Sequence, residues 1–223
     1  MEEEGPDALE MAAQADQERT PQTTGPRDSV ILMVEHYEHN KDSGHAGELA
    51  TRIVETLSVL PSAATILDVG CGKGIVASII TRINPALHYT GCDISDEAIN
   101  HCKNTIKGEF FVGDVEKDLA TPAKEYDVVL CLEVLEHVRD KQRVFERLLS
   151  KTKKEGTLVI TTPNLSSAFV KLKKIKDGIL RRGRYDAPMS FDELATLARQ
   201  HATIQLHKTF YRGIYQLLVV KRR

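Results

Sequence analysis

Residues 66–74 of the 223-residue chain read Ile-Leu-Asp-Val-Gly-Cys-Gly-Lys-Gly, and they give the clearest indication of its fold. An apolar run passes directly into three alternate glycines, after which the apolar spacing becomes helical. Glycine has no Cβ, so such a loop can turn sharply and let a ligand approach its backbone. In an open α/β sheet, ligands bind in the crevice at the carboxyl ends of the strands. The stretch therefore predicts a strand, a ligand-binding loop and a helix in succession.

The alternation of short apolar runs with longer amphipathic runs continues along the chain. Strands are predicted at Ile66–Val69, His88–Cys92, Glu109–Val112, Val128–Leu132 and Leu158–Thr161. Helices are predicted between them at Ile75–Ile83, Asp96–Lys107 and Asp140–Ser150, and ahead of them at Val30–His39 and His45–Leu60. The strand runs are apolar on both faces, as parallel strands between two helical layers must be. The pattern predicts an α/β fold with a doubly wound parallel sheet.

The C-terminal part of the chain ends this alternation. A helix is predicted at Phe191–Ala202, followed by two strand-like runs at Ile204–Phe210 and Tyr215–Val220. The short link around Gly213 makes an antiparallel hairpin the simplest connection of the two runs. We expect seven strands in all, with this hairpin as an antiparallel edge.

Composition and cysteine spacing indicate the class of protein. Hydrophobic residues make up 41% and charged residues 28%, and no run approaches the ~18 apolar residues of a membrane span. The cysteines are Cys71, Cys92, Cys102 and Cys131, without a C-x-x-C spacing, which favours reduced core thiols over a disulfide or a zinc site. We expect an intracellular, cytoplasmic protein without a signal peptide.

The N-terminal 28 residues differ from the rest of the chain. They hold eight acids against two arginines, are rich in Pro, Gly, Gln and Thr, and nearly lack large apolar side chains. Such a segment buries too little surface to offset its ordering entropy. We expect a disordered acidic tail at 1–28 and one folded domain at 29–223.

Acidic residues accompany the glycine loop. Asp93 ends the second predicted strand, 23 residues after Gly70, where a carboxylate can accept hydrogen bonds from a ribose diol. Asp93 could equally be a helix N-cap or first-turn acid, although Ser95 could cap that helix as well. Nicotinamide dehydrogenases carry Gly-x-Gly-x-x-Gly instead, and Asp68 would repel their pyrophosphate. An acid at this position suits a ligand with an ammonium group.

Taken in order, residues 68–74, 93, 113–115 and 126–138 resemble the successive motifs of class I S-adenosylmethionine-dependent methyltransferases, nearest to the ubiquinone-biosynthesis O-methyltransferase-like group (methyltransferase type 11/12). The resemblance covers roughly 66–164 and implies a Rossmann-like sheet and S-adenosylmethionine as cofactor. It implies that residues of this chain contact four parts of the cofactor, namely the methionine moiety, the ribose, the adenine and the sulfonium end. The implied cofactor-binding residues are Asp68, Gly70, Cys71, Gly72, Gly74, Asp93, Ile94, Asp114, Val115 and Leu132. Asp114 could instead be a plain turn residue after the third strand.

Glu133, Glu136 and His137 follow the fourth predicted strand. Residues three and four apart share a helical face, so the three side chains could converge on one point. Such a set suits Mg²⁺, Mn²⁺ or Zn²⁺, and the resemblance includes metal sites of this composition in ubiquinone-type O-methyltransferases and small-RNA 2′-O-methyltransferases. Alternatively, acids at a helix start complement its dipole. We favour His137 and Glu133 as catalytic residues, with His137 a general base or polar wall near the transferred methyl group.

A basic amphipathic segment at 165–184 contains seven Lys and Arg residues against one Asp. In the family, this region (165–190 here) caps the acceptor pocket. A basic amphipathic helix can also lie on an anionic membrane or bind nucleic acid phosphates, or simply be a solvated lid. Residues 165–200 contain no histidine, whereas the small-RNA enzymes supply further histidines there.

These observations favour methyl transfer to an oxygen or nitrogen of a small molecule, with release of S-adenosylhomocysteine. One alternative is a metal-dependent RNA 2′-O-methyltransferase, and another is a non-catalytic cofactor-binding subunit. A nicotinamide oxidoreductase conflicts with the loop pattern.

Overall fold

The structure, a computed structural model, describes residues 46–60, 64–117, 119, 121–122, 125–168, 170–172 and 187–223. The acidic tail at 1–28, the predicted helix Val30–His39 and residues 173–186 of the basic segment lie outside the described residues. Within the described ranges, no helix has both the length and the apolarity needed to cross a membrane.

Seven strands form one sheet flanked by helices. The strands are β1 Thr65–Val69, β2 His88–Asp93, β3 Glu109–Val112, β4 Tyr126–Leu132, β5 Thr152–Pro163, β6 Ala202–Phe210 and β7 Tyr215–Arg222. The helices are α1 Ala46–Leu57, α2 Ile75–Ile83, α3 Asp96–Thr105, α4 Lys141–Lys151 and α5 Phe191–His201, with a 3-10 turn at Leu135–His137.

The strand order is β3-β2-β1-β4-β5-β7-β6. β1 to β5 pair in parallel, whereas β7 is antiparallel to β5 and to β6. The predicted seven-stranded, doubly wound sheet with an antiparallel C-terminal hairpin is therefore confirmed. The direction of winding reverses between β1 and β4, and the glycine loop follows β1 at this switch point, where α/β sheets bind their ligands.

The core lies on both faces of the sheet, as the doubly apolar strand runs predict. Val129 and Cys131 of β4 pack in one cluster with Phe145 of α4. The alternate residue Leu130 packs in the other cluster with Ile80 of α2. All four cysteines are buried, as expected of core thiols.

Several element boundaries differ from the predictions, and two of the differences have a clear physical reason. β5 begins at Thr152 instead of Leu158, because polar residues 153–156 form an irregular stretch between two points of pairing with β4. The helix predicted over Asp96–Lys107 ends at Thr105, since Ile106 is already extended and Gly108 has a positive φ of 154°.

Candidate functional site

The glycine loop has three left-handed glycines, which serve two different purposes. Gly70, Gly72 and Gly74 have φ values of +82°, +53° and +75°. A Cβ on Gly70 would overlap Val134, and a Cβ on Gly74 would overlap Ile106. A Cβ on Gly72 would meet nothing within 4 Å. Gly70 and Gly74 therefore allow close packing, whereas Gly72 leaves bare backbone facing open space.

The Gly72 peptide is held on both sides. Its N–H donates to Asp93 Oδ2 over 2.8 Å, and its carbonyl accepts from the thiols of Cys102 at 3.4 Å and Cys71 at 3.7 Å. Asp93 Oδ1 accepts from the Ser95 N–H at 2.9 Å. Each Asp93 oxygen thus has one backbone donor and keeps acceptor capacity. The Gly72 peptide is therefore fixed by contacts within the chain itself.

Ser95 is the N-cap of α3, and its side chain accepts from the backbone N–H of Ala98 at 3.2 Å. The alternative of Asp93 as the helix cap is therefore wrong. Asp93, the last residue of β2, instead joins the glycine loop to the residues before α3. This is the position expected of a ribose contact.

Asp68 is buried directly before the glycines, with 2% of its surface exposed. The Tyr89 hydroxyl donates a hydrogen bond to Asp68 Oδ2. Burial raises the pKa of Asp68 to about 6, the Tyr89 hydrogen bond opposes that rise, and the charge of Asp93 adds to it. Tyr89 was not predicted, because its only sequence signal was a hydroxyl on an inner strand.

Asp114 begins a turn after β3, in which its carbonyl accepts from the Lys117 N–H at 2.9 Å. Its Oδ1 accepts from the Glu116 N–H at 2.9 Å, and its Oδ2 lies 3.5 Å from Lys117 Nζ. The Val115 carbonyl accepts from Arg147 Nη1 of α4 at 2.5 Å. This loop is fixed from two sides, and the adenine contact of Asp114 and Val115 stays a prediction.

Exposed apolar side chains lie beside Asp93. Ile94 is 70% exposed and Val112 is 49% exposed, and Val112 is the register partner of Asp93 across β2 and β3. The apolar run of β3 gave no sign that its last residue faces solvent. Leu132, at the end of β4, is 8% exposed. The patch of Ile94 and Val112 suits a flat apolar ring next to the Asp93 carboxylate.

Glu133, Glu136 and His137 do not share a helical face, so that prediction is wrong. Glu133 lies outside the three-residue 3-10 turn, in a left-handed conformation with φ of 58°, and its N–H donates to the Thr161 carbonyl at 2.9 Å. Glu136 is 5% exposed and accepts from Thr162 Oγ1 at 2.9 Å. Burial, followed by the charge of Glu133, raises the pKa of Glu136 to about 8.

The predicted metal set is likewise not assembled. His137 Nε2 lies 3.9 Å from Glu136 Oε1, and the His137 side chain is 37% exposed whereas that of Glu136 is 6% exposed. Glu136 points inward against β5, where Thr162 Oγ1 donates to it, whereas the His137 ring is partly exposed. In the part of the chain that the structure describes, no three His, Cys, Asp or Glu residues are grouped to hold a metal ion.

The region 165–190, which contains the basic segment, is anchored at both of its ends to the strand tips near Glu136. The Ala187 N–H donates to the Glu136 carbonyl at 2.8 Å. Met189 accepts through its carbonyl from the Leu165 N–H at 3.0 Å and from Gln216 Nε2 at 2.9 Å. The segment therefore starts and returns beside the candidate catalytic residues.

A cation–aromatic cluster at the hairpin tip was not predicted. Arg52 of α1 lies over the Tyr215 ring at 5.3 Å, and Tyr215 stacks on Phe210 with ring centroids 5.6 Å apart. The Arg52 charge opposes a small part of the rise in the pKa of Glu136, so α1 reaches the same edge of the sheet. No local sequence signal joins these residues, which are far apart along the chain.

A family model described as "Methyltransferase domain" matches residues 30–212. The ubiquinone biosynthesis O-methyltransferase of Salmonella paratyphi A is 36% identical over 104 residues, which are 44% of this chain and 42% of that protein. The chain thus aligns with less than half the length of the curated relatives it matches.

Solved structures share the fold at low identity. The PH0226 protein of Pyrococcus horikoshii has a TM-score of 0.68 and 18% identity, covering 82% of this chain and 93% of that one. Magnesium protoporphyrin IX methyltransferase of Synechocystis, with bound SAH, has a TM-score of 0.62 and 16% identity, covering 96% and 95%.

Proposed function

The chain belongs to the methyltransferase-domain family of class I S-adenosylmethionine-dependent methyltransferases, and we propose that it transfers a methyl group to an oxygen or nitrogen of a small molecule. S-adenosylhomocysteine is the second product. The observation that carries the proposal is Gly72, whose side of the loop is open although the peptide itself is held by Asp93. A Cβ there would occupy the space that the cofactor needs.

The residues around Gly72 fit S-adenosylmethionine. Asp93 has acceptor capacity for the ribose hydroxyls, and the patch of Ile94 and Val112 offers an apolar surface for the adenine ring. We assign Asp114 and the Val115 backbone to the adenine edge and Leu132 to the sulfonium end. Asp68 lies below the loop, towards the methionine end.

The cofactor supplies, when bound, a methyl group activated by its sulfonium. The chain's own contribution is to orient the acceptor and to remove its proton, since proximity supplies most of the acceleration in such a displacement. His137, partly exposed at the end of the 3-10 turn, takes the proton from the acceptor hydroxyl or amine. Glu133 lines the same edge, and Glu136 is the buried partner of Thr162.

Three observations support a small-molecule acceptor. The curated relatives are named ubiquinone biosynthesis O-methyltransferases. The ends of the basic segment are anchored beside Glu136, as a lid over an acceptor requires. Residues 165–200 contain no histidine for an RNA-type site. A lipid-like acceptor would be reached at a membrane surface, so we extend the proposal to peripheral contact of 165–184 with anionic lipid.

Labelled S-adenosylmethionine tests the proposal in a screen of phenols, catechols, quinols and amines, with RNA as a separate substrate. We expect label in a small molecule and unchanged turnover in EDTA; loss of turnover in EDTA that added Mg²⁺ restores would revive the divalent-cation alternative. Label in RNA alone would contradict the small-molecule proposal. Binding of S-adenosylhomocysteine without any transfer would favour the non-catalytic subunit.

His137→Gln tests the general base within that screen. Loss of a general base lowers turnover by about 10²–10⁴-fold with little change in S-adenosylhomocysteine affinity. His88→Gln is the control, since His88 is an exposed residue at the opposite end of β2. Equal turnover in both variants would show that His137 is not the base.

A further inference from the structure

Asp68 and Tyr89 form a buried polar pair between neighbouring parallel strands. Asp68 is 2% and Tyr89 is 3% exposed, and the Tyr89 hydroxyl donates to Asp68 Oδ2. β2, which carries Tyr89, also ends in Asp93, and β1, which carries Asp68, runs directly into the glycine loop. The pair therefore lies beneath the point where β1 opens into the cleft.

A carboxyl group in this position is costly to ionise unless it is partnered. Among the described residues, the hydrogen bonds to its side chain engage only Oδ2, through Tyr89, and leave Oδ1 with acceptor capacity. The neighbouring acid, Asp93, opposes the negative charge of Asp68 instead of stabilising it. A buried acid with one oxygen engaged and one available has the form of a site for a cationic group.

We propose that Tyr89 is a positioning residue for cofactor binding, whose hydroxyl holds Asp68 so that its second oxygen meets the ammonium end of the methionine moiety. This inference rests on the proposed function. It assigns Tyr89 a role through Asp68 and not through contact with the cofactor itself. Without the hydroxyl, Asp68 keeps its burial and loses the hydrogen bond that favours its ionised form.

The proposal has a pH signature. Burial raises the pKa of Asp68 to about 6, so Asp68 is ionised above that pH and neutral below it. An α-ammonium group stays protonated through this range, since its pKa is about 8. Affinity for the cofactor's methionine end should therefore fall as the pH drops through about 6. The Tyr89 hydrogen bond lowers the pKa of Asp68. Without the Tyr89 hydroxyl, the pKa of Asp68 is higher, so the fall in affinity should begin at a higher pH.

Tyr89, Asp93 and four thiols face Asp68. The thiols are those of Cys71, Cys92, Cys102 and Cys131, and neither they nor Tyr89 titrate in this window. Burial raises the pKa of each thiol, that of Cys92 to about 12. Burial and the Asp68 charge raise the pKa of Tyr89 as well. A change in affinity near pH 6 that responds to Tyr89 therefore reports on Asp68.

Calorimetric titration with S-adenosylhomocysteine from pH 5 to pH 9 tests this, since that compound carries the ammonium but no sulfonium. The wild type should lose up to about tenfold in affinity per pH unit below about 6. Tyr89→Phe should move that midpoint upward by about one pH unit and approach the affinity of the wild type by about pH 8. Asp68→Asn should bind weakly at every pH.

Tyr126→Phe is the matched control, because Tyr126 is an equally buried tyrosine at the amino end of β4, away from the cleft. Its profile should equal that of the wild type. A Tyr89→Phe profile identical to the wild type would overturn the proposal. If the wild type does not bind S-adenosylhomocysteine at any pH, the proposed function itself fails.

A measurement on the wild type avoids reliance on a variant's folding. Carboxyl carbon resonances from labelled aspartate give the pKa of Asp68 with and without S-adenosylhomocysteine, with Asp68→Asn used to assign the signal. Binding of an ammonium group should lower that pKa by linkage. A saturating ligand that leaves the pKa of Asp68 unchanged would contradict the role of the pair.

Discussion

Asp93 contacts the glycine loop and the approach to α3 through one carboxylate oxygen each. This double contact explains why a single acid after β2 can both shape the loop and remain able to accept from a ribose. Each Asp93 carboxylate oxygen accepts only one backbone N–H, so both oxygens can accept further hydrogen bonds.

Asp93→Ala is expected to weaken S-adenosylhomocysteine binding by about 1–3 kcal/mol, because polar partners are left without an acceptor. Calorimetry measures the change. Asp96→Ala, which removes an exposed first-turn acid of α3, should bind like the wild type. Wild-type affinity in the Asp93 variant would refute the ribose assignment.

Glu136 gives a second prediction at this scale, in the stability of the protein. Its pKa rises from an ordinary 4.5 to about 8, chiefly through burial, so the folded state binds more protons than the unfolded state between these values. Stability should fall as the pH rises through this window. Glu136→Gln mimics the protonated side chain and can still accept from Thr162.

We therefore expect the Glu136→Gln melting temperature to exceed that of the wild type by more at pH 8 than at pH 5. Glu116→Gln, at an exposed acid in the loop after β3, should show no such difference. A pH-independent effect of Glu136→Gln would mean that the buried carboxyl does not titrate as described.

The loop after β3 depends on the neighbouring helix α4. Arg147 reaches out from α4 to the Val115 carbonyl, and Glu116 Oε1 accepts from the Arg139 N–H at 2.8 Å just before that helix. The candidate adenine-binding loop is thus held in place by α4 and by the residue just before it.

Arg147→Ala should loosen this loop and weaken S-adenosylhomocysteine binding several-fold, since an ordered contact must then be formed on binding. Arg143→Ala, one turn earlier on the same helix and exposed, is the control. Binding of adenosine alone should weaken by the same factor if the loop contacts adenine. An unchanged Kd would exclude the Val115 loop from the adenine site.

Sequence patterns predicted elements well where burial dictates composition. The inner strands had to be apolar on both faces, and β4 is buried along nearly its whole length. The first half of β5 was missed because residues 153–156 are polar and irregularly paired. The spacing of Glu133, Glu136 and His137 suggested a helix, but the backbone turns left-handed at Glu133.

Sequence patterns could not predict the contacts between elements that are distant in sequence. The motif placed Asp68, Gly72 and Asp93 at one edge of the sheet, and the structure brings Gly72 and Asp93 within 2.8 Å. The Tyr89–Asp68 pair and the Arg52–Tyr215 contact depend on the register and packing of separate elements. The sequence motif therefore located the candidate site, whereas the hydrogen bonds within the site could be identified only from the fold.

At the scale of the whole molecule, the site exists because the sheet reverses its winding between β1 and β4. The glycine loop, Asp93 and the 3-10 turn all follow strands that end at this edge. The anchored ends of the basic segment reach the same edge through Glu136 and Leu165. Cofactor and acceptor can therefore meet there, while the opposite edge of the sheet carries the strand starts.

The most direct measurement compares S-adenosylhomocysteine binding by Gly72→Ala and Gly213→Ala. Both glycines have positive φ, +53° and +77°, and a Cβ on either meets nothing within 4 Å, so both variants carry a similar backbone strain. Only the Gly72 methyl group would enter the space that we propose for the cofactor. We predict at least a tenfold loss of affinity in Gly72→Ala and wild-type affinity in Gly213→Ala; equal affinity in the two variants would contradict the account.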